Sequence, residues 1–293
     1  MKHIFITYGD SGYEAAKRKL CNDAKATGEF DEIIAYGRED LSDELLHTDI
    51  INIKRGGGLW SWKPDIILST LEKYSDGDAI VYCDAGCTLY PSKEWKRYWE
   101  KLNNYDLIAQ RIFMRTDHWT RKEILNFFKE NGKGWPRCYQ YQATIIIVIS
   151  DFTRRFVKEW RDLMITHPEY VMDVTEVELP CQHNTFVENR HDQAIYSALV
   201  YKYLSNKSTC NRIYTQWEHV EDYDPFCKQA IRATRLRQGQ EESLILLLKR
   251  CYKRVVKDYI LKPLVFAPRQ WWFSKQNKNE NSKSIRWFRK SNV

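Results

Sequence analysis

The sequence predicts an α/β fold with a parallel sheet, extended at its C-terminal end by a basic helical tail. Three apolar runs, at 3–9, 32–37 and 79–84, alternate with two helical segments, which is the order of strands joined by crossover helices. The apolar run 143–149 is the strongest β segment of the chain. The tail is strongly basic, since residues 241–293 hold 13 Lys/Arg and 4 Asp/Glu, whereas the whole chain has a net charge of only +7.

The other elements follow from apolar spacing and from turn residues. Ser11 can cap the first helix, and Pro64 suits the first turn of the second. Further helices are predicted around 41–47, 92–102, 120–130, 151–165 and 190–203, and a further strand at 107–109. Residues 1–222 are therefore expected to form one α/β domain, 223–240 a linker and 241–293 the tail.

Composition limits the classes of protein that fit. Aromatic residues make up 14% of the chain; flat rings line sugar and base pockets, but large cores and membrane-interface belts use them too. The eight cysteines include no Cys-x-x-Cys pair and no set with zinc-site spacing. No secretory signal is recognised, and no apolar stretch approaches the roughly 18–20 residues of a membrane-spanning helix. These features predict a cytoplasmic protein.

Asp84 is the first candidate functional residue because it ends an apolar strand. Ligands of open α/β sheets bind beyond the carboxyl ends of strands, and the small residues Ala85 and Gly86 would let a ligand approach the backbone. A carboxylate here could hold Mg²⁺ or Mn²⁺ between two phosphates. An Asp that caps a turn fits the same tripeptide equally well.

The loop before Pro64 is the second candidate region. It holds three glycines together with Trp60 and Trp62, and surface loops seldom expose that much aromatic area. Lys63, just before the helix, would lie near its positive end, where backbone N–H groups favour a diphosphate. An isolated lysine after a loop is more often solvated, so the prediction depends on this context.

His191, Asp192 and Gln193 form the third candidate group, at the start of a helix. Asp192 could act as a base or accept the hydroxyls of a transferred sugar, and with His191 it is the catalytic candidate. A capping Asp beside a surface His is a common alternative. His219 is a further candidate ligand, although a lone His is more often structural.

In order and spacing, these segments resemble the GT-A glycosyltransferases, which have a Rossmann-like fold, and especially bacterial capsular-polysaccharide and lipopolysaccharide enzymes. The resemblance covers about residues 1–220 and is carried by the ordered set rather than by one motif. It rests on 57–64, 78–87, 143–149, Lys158-Glu159-Trp160 and His191-Asp192-Gln193. It implies transfer of a hexose from a UDP-linked or similar nucleotide diphosphate sugar to a glycan or lipid-linked acceptor in surface polysaccharide synthesis.

The resemblance also implies roles for single residues. Tyr8 is placed near uracil, and the donor-binding set is Tyr8, Trp60, Trp62, Lys63, Asp84, Ala85, Gly86 and Gln193. The family's strand-end motif is commonly Asp-x-Asp, whereas Gly86 stands at the second position here. Either Asp84 holds a divalent cation (Mn²⁺ or Mg²⁺) with help from His219, or the enzyme relies on Lys63 and helix dipoles. The Asp-Gln pair is similar to that of retaining members.

The basic tail suggests a membrane contact, and two functions other than glycosyl transfer also have to be considered. Leu244, Leu248, Cys251 and Val255 follow helical spacing beside many cations, as in a helix lying on an anionic membrane, though a helix packed on the domain fits too. No nucleic-acid module is recognised, so no specific nucleic-acid partner is expected. The alternative function is a non-catalytic membrane- or RNA-binding protein with a degenerate domain. A nucleotidyltransferase would require a glycine loop that binds phosphate directly after the first strand, and residues 8–12 resemble such a loop only weakly.

Overall fold

A computed structural model describes residues 1–217 and 229–234, together with the helical residues Ile245, Leu248 and Tyr252. The strands are β1 (His3–Tyr8), β2 (Glu32–Tyr36), β3 (Ala79–Tyr82), β4 (Thr88–Leu89), β5 (Leu107–Arg115), β6 (Tyr139–Tyr141), β7 (Ile145–Val148), β8 (Ile213–Trp217) and β9 (Ile231–Arg232). The α-helices are α1 (Glu14–Thr27), α2 (Asp43–Leu46), α3 (Gly56–Leu59), α4 (Trp62–Lys73), α5 (Glu94–Leu102), α6 (Thr116–Trp119), α7 (Lys122–Phe127), α8 (Asp151–Thr166), α9 (Pro168–Val171) and α10 (His191–Ser205). His219 and almost all of the tail 241–293 lie outside the described residues.

The main sheet has seven strands in the order β2-β1-β3-β7-β5-β6, with β8 also paired to β5. Strand β1 is parallel to β2 and β3, and β8 is parallel to β5. Strands β6 and β7 are both antiparallel to β5, with a shift of register between Arg111 and Arg115. Since β7 is also antiparallel to β3, five strands run in one direction and β6 and β7 run against them.

Both faces of the sheet are buried at β1, β3 and β7, which explains why these strands are almost continuously apolar. Side chains alternate between the faces, so that Ile4 and Ile6 of β1 belong to one core and Phe5 to the other. Helices α4, α8 and α10 supply the first core, and α1 and α5 supply the second. Among the described residues, no helix is both long enough and apolar enough to cross a bilayer.

The predicted α/β fold class is confirmed, and within residues 1–217 the predicted elements occur in their predicted order. The parallel arrangement holds for β1, β2 and β3, but β7, inside the predicted strand 143–149, is antiparallel to its neighbours. An apolar run that is buried on both faces looks the same in either direction, so the sequence could not show this. Strand β5 continues to Arg115, whereas the sequence predicted a strand at 107–109 only.

Part of the predicted linker packs against the α/β domain. Residues 229–234 are buried, and β9 pairs antiparallel with β4. Thr234 Oγ1 donates to the carbonyl of Gly86 at 2.9 Å, so this short segment supports the chain just after Asp84. Ala230 and Ile231 give it an apolar side, which explains its burial.

Candidate functional site

The carboxyl ends of β1 and β3 lie side by side, because the two strands are parallel neighbours with Ile6 paired to Tyr82. The chain therefore leaves the sheet at one edge after Tyr8 and again before Asp84. This is the edge at which open α/β sheets bind ligands. The starts of α4 and α10 reach the same place, and three of the predicted site residues meet there.

Lys63, in the first turn of α4, contacts a carboxylate just after the end of β3 and another at the start of α10. Its Nζ lies 2.8 Å from Asp192 Oδ2 and 3.3 Å from Asp84 Oδ1, and Tyr82 Oη donates to the same Asp84 oxygen. The side chains of Lys63 and Asp192 are only 4% and 7% exposed, whereas that of Asp84 is 51% exposed. Lys63, Asp84 and Asp192, here called the Lys63 cluster, thus present one carboxylate to solvent.

The charge states of the Lys63 cluster follow from burial and from its ion pairs. Burial opposes the charge on Lys63, but the carboxylates of Asp192 and Asp84 outweigh it and raise the pKa of the ammonium. Burial raises the pKa of Asp192, and the Lys63 ammonium opposes that change. Burial beside Asp84 also raises the pKa of Tyr82 well above its usual value, so its hydroxyl stays a donor. With both carboxylates ionised, the cluster carries a net charge of −1.

Lys63 is therefore not the open phosphate-binding cation that the sequence suggested. Two carboxylates already take up its charge, and its side chain barely reaches solvent. Its position instead fixes Asp84 and Asp192 relative to each other. The accessible group is Asp84 Oδ2, since the close contacts of that carboxylate with Lys63 and Tyr82 both use Oδ1.

The glycine-rich loop, whose segment Gly56–Leu59 is labelled α3 above, is a left-handed turn and not a regular right-handed helix, and it leads into α4. All of residues 56–60 have positive φ, between 53° and 103°. Glycine adopts this conformation freely, whereas Leu59 and Trp60 are each strained by about 1–3 kcal/mol. Gly58 is needed for a second reason, because a Cβ there would lie 2.9 Å from the Cα of Ile51.

Hydrogen bonds close this turn on itself. The backbone N–H groups of residues 57–61 all donate to carbonyls of residues 53–58, and Trp62 Nε1 donates to the carbonyl of Gly56 at 2.9 Å. These N–H groups are occupied, so the turn is not a phosphate cradle. Its effect is to orient Trp60 and to deliver Lys63 to the carboxyl edge of the sheet.

The predicted aromatic residues form two ring stacks. Tyr8 stacks on Trp62 with centroids 4.1 Å apart, and Trp60 stacks on His191 at 5.1 Å. Tyr8 and Trp62 are buried, and burial raises the pKa of Tyr8 to about 12. Trp60 is only half-buried. Of these three candidates for base or sugar stacking, Trp60 therefore offers the most ring surface to a ligand.

His191 is buried and neutral, and its backbone is strained at φ 48°. Its Nδ1 lies 2.6 Å from the carbonyl of Val171, and because a carbonyl only accepts, Nδ1 carries the proton. Burial lowers the pKa of the imidazole. Trp160 Nε1 donates to the carbonyl of Asp192 at 3.1 Å. These contacts hold the first turn of α10, and so they hold Asp192 against Lys63.

Asp173, Glu188 and His191 bring their ligand atoms within 4.8 Å of one another. Arg55 Nη1 lies 2.8 Å from Asp173 Oδ1, and Arg55 also pairs with Glu188. The guanidinium thus supplies the positive charge between these carboxylates. The group links the glycine-rich loop to the segment that precedes α10, which stabilises both against each other.

The remaining predicted donor-binding residues lie around the Lys63 cluster without joining it. Ala85 is buried and Gly86 half-buried, the latter bonded through its carbonyl to Thr234. Gln193 Nε2 donates to Gln140 Oε1 of β6 at 2.7 Å, which turns this side chain towards the antiparallel part of the sheet. His219, the other predicted metal ligand, lies outside the described residues.

Sequence reasoning missed several residues that shape the site. Tyr82 carries a usable signal, because side chains two apart in an extended chain lie on the same side and Tyr82 precedes Asp84 by two. Arg55 carries no such signal, and Trp160, although it lies in a segment on which the resemblance rests, carries none for its contact, because the partners of both residues are far away in sequence. Arg55 lies 118 residues from Asp173, and Trp160 lies 32 residues from Asp192.

No protein-family model matches the chain, and no curated protein matches it. Among solved structures, the chain is similar to the galactosyltransferase LgtC in complex with donor and acceptor sugar analogues, with 14% identity over 76% of this chain and 90% of that chain and a TM-score of 0.34. It is similar to apo mouse xyloside xylosyltransferase 1, with 8% identity over 74% and 85% and a TM-score of 0.40. It is also similar to the glycosyltransferase GlyE of Streptococcus pneumoniae TIGR4, with 11% identity over 77% of this chain but 47% of GlyE, and a TM-score of 0.37. At such identities and scores, a functional assignment rests on the geometry of the site itself.

Proposed function

We propose that the protein is a glycosyltransferase that moves a hexose from a nucleotide diphosphate sugar, UDP-linked, to a glycan or lipid-linked acceptor. The observation that supports this is the Lys63 cluster at the carboxyl edge of an α/β sheet, with one carboxylate open to solvent. A buried lysine that holds the exposed carboxylate of Asp84 in place prepares an oxygen acceptor for sugar hydroxyls.

Asp84 is the residue proposed to meet the donor. Tyr82 and Lys63 both hold Oδ1, so the carboxylate is oriented before a ligand arrives, and Oδ2 remains available. Such preorganisation reduces the entropy lost when the sugar is positioned for reaction. Half-buried Trp60 is the ring best placed to stack on the donor.

The net charge of the Lys63 cluster bears on the leaving diphosphate, because a negative cluster repels it. The residues present fit a divalent cation, since Asp84 Oδ2 is an accessible hard oxygen ligand. Mg²⁺ in particular is commonly held by one or two carboxylates together with substrate phosphates and water. When bound by Asp84, Mg²⁺ or Mn²⁺ would neutralise charge that develops on the departing diphosphate. A contribution of His219 remains a prediction.

Asp192 and His191 are proposed to position the site rather than to exchange protons with the substrate. Asp192 is held 2.8 Å from Lys63 and is nearly inaccessible, and His191 supports the start of the same helix. A retaining outcome is proposed because the pair Asp192-Gln193 is similar to that of retaining GT-A enzymes. The acceptor hydroxyl would then be placed against the anomeric carbon by binding, which supplies much of the rate.

A panel of nucleoside diphosphates in a thermal-shift assay tests this function. With Mn²⁺ present, UDP at a hundred times its dissociation constant should stabilise the protein by about 2.7 kcal/mol. The same concentration of UDP without Mn²⁺ should stabilise it less, and ADP and GDP should not stabilise it. Stabilisation that appears only with Mn²⁺ would support the role proposed for Asp84. The absence of a response to every nucleotide diphosphate would refute the function.

A non-catalytic membrane- or RNA-binding protein is the second candidate, and Gly86 in place of a second carboxylate favours it. The helical residues Ile245, Leu248 and Tyr252 are exposed and apolar, which supports a tail that lies on an anionic membrane. The same tail also bears on the proposed glycosyltransferase. We propose that this enzyme is cytoplasmic and that the tail holds it at the inner face of the plasma membrane for surface polysaccharide synthesis. Removing 241–293 should release the protein from anionic liposomes, and retained binding would reject the membrane role.

A further inference from the structure

The C-terminal half of β5 carries an exposed group of aromatic rings. Phe113 is 63% exposed and stacks on Trp217, itself 41% exposed, with centroids 4.4 Å apart. Tyr139 packs edge-on against Phe113 at 5.6 Å and against Trp217 at 5.4 Å. The guanidinium of Arg111 lies 5.5 Å from the Trp217 ring. Phe113, Tyr139 and Trp217 are called the aromatic platform below, and exposed rings of this kind suit stacking by a sugar ring.

A cavity of about 660 Å³ lies beside the aromatic platform, a volume in the range of small-ligand sites. Its lining, called the basic cavity below, includes Arg115, Lys133, Arg137, His183 and Thr185. Arg115 pairs with Tyr139 across the sheet, and Arg137 precedes Tyr139 by two residues. The cavity and the platform are therefore adjacent parts of one surface.

The basic cavity holds more positive charge than its own acid neutralises. Asp117, the carboxylate in the lining, is buried and accepts from Arg115 Nε at 3.1 Å, so these two charges cancel. Lys133 and Arg137 are exposed, and neither forms an ion pair with another residue of the described part of the chain. Their two charges, with the hydrogen-bonded His183 beside them, match an anionic oxygen ligand.

Strand β6 connects this surface to the Lys63 cluster. Gln140 follows Tyr139 of the platform, and its side chain is bonded to Gln193, the neighbour of Asp192. Strand β5 runs in the same direction as β1 and β3, so Arg115 lies towards the same edge of the sheet as Asp84. A ligand on the aromatic platform thus lies towards the carboxyl edge of the sheet, where the proposed donor would bind.

We infer that the aromatic platform and the basic cavity bind the acceptor, and that this acceptor is a glycan that carries a phosphate group. A sugar ring stacks on Phe113 and Trp217, and the phosphate enters the cavity between Lys133 and Arg137. The role of this glycan as acceptor rests on the proposed function, whereas its binding does not.

Calorimetric titration of the full chain with glucose 1-phosphate, and with uncharged methyl glucoside as the matched sugar, tests the inference. The phosphate should tighten binding at least tenfold in the wild type. Lys133→Glu/Arg137→Glu should remove that advantage, while Lys129→Glu/Lys207→Glu, with the same change in net charge at exposed positions outside the cavity lining, should keep it. Phe113→Ala should weaken both sugars by a similar factor. Equal affinity for the two sugars, or an advantage that survives Lys133→Glu/Arg137→Glu, would overturn the inference.

Two further measurements separate the possible failures. Stabilisation by UDP should be the same in the wild type and in Lys133→Glu/Arg137→Glu. In one outcome, UDP stabilises neither the wild type nor the variant, while the tighter binding of glucose 1-phosphate than of methyl glucoside still depends on Lys133 and Arg137. That result would refute the proposed function and support the phosphorylated-glycan site. Anionic phospholipid vesicles form the other arm: capture that requires Lys133 and Arg137, without discrimination between the two sugars, would assign the cavity to a lipid headgroup and reject the glycan.

Discussion

The Lys63 cluster and the basic cavity use charge in opposite ways. In the cluster, Lys63 and Asp192 are buried and paired, and only Asp84 reaches solvent. In the cavity, Lys133 and Arg137 are exposed and form no ion pair within the described residues. Removing one partner of a buried pair leaves the other charge uncompensated, whereas exposed charges can be changed at little cost. Folding and function should therefore be coupled in the cluster and separable in the cavity.

The largest expected effect is the loss of the buried lysine. Lys63→Met leaves Asp192 buried without its counter-charge and should lower the free energy of unfolding by about 3–5 kcal/mol in urea titrations. Lys96→Met, at a side chain that is 82% exposed, should change it by less than about 0.5 kcal/mol. A loss below about 1 kcal/mol for Lys63→Met would show that the two regions do not differ in this way.

The left-handed turn should give the next largest effect. In Gly58→Ala the new Cβ would meet the Cα of Ile51 at 2.9 Å, on a residue whose φ is +103°. The expected loss of unfolding free energy is about 1–3 kcal/mol, together with weaker UDP binding because the turn places Lys63. Gly134→Ala is the matched control, with φ −88° and nothing within 4 Å of a new Cβ. Equal stabilities of the two variants would contradict the strain assigned to this loop.

The same contrast shows what the sequence could predict. The strand end before Asp84, the helix whose first turn contains Pro64 and the helix that begins near Asp192 were predicted because each signal is local. The pairing of Lys63 with both carboxylates was not, because a sequence does not show which charges are buried together. Because of that pairing, we propose that Lys63 positions the two carboxylates, whereas the sequence predicted that it binds a diphosphate. The cavity residues Lys133 and Arg137 had no motif at all.

A smaller effect is expected from His191 as the pH changes. Burial lowers the pKa of this imidazole below its ordinary value of 6.5, so below that pH the unfolded chain takes up a proton that folded His191 does not. Stability should therefore fall as pH decreases below 6.5, until the folded imidazole is protonated too, by about 1.4 kcal/mol for each unit of the shift. The measurement is the free energy of unfolding at several pH values for the wild type and His191→Gln. If the variant loses as much stability as the wild type below pH 6.5, His191 is not the source.

The most direct test of the account is the release of UDP from a UDP-hexose by the wild type and by Asp84→Asn. Asp84 is half exposed and Lys63 keeps its ion pair with Asp192, so Asp84→Asn should lose much less stability than Lys63→Met and stay folded, as circular dichroism can verify. If its carboxylate orients the donor and neutralises the leaving diphosphate through a cation, UDP release should fall by at least about a hundredfold. Unchanged release by a folded Asp84→Asn protein would contradict the central claim.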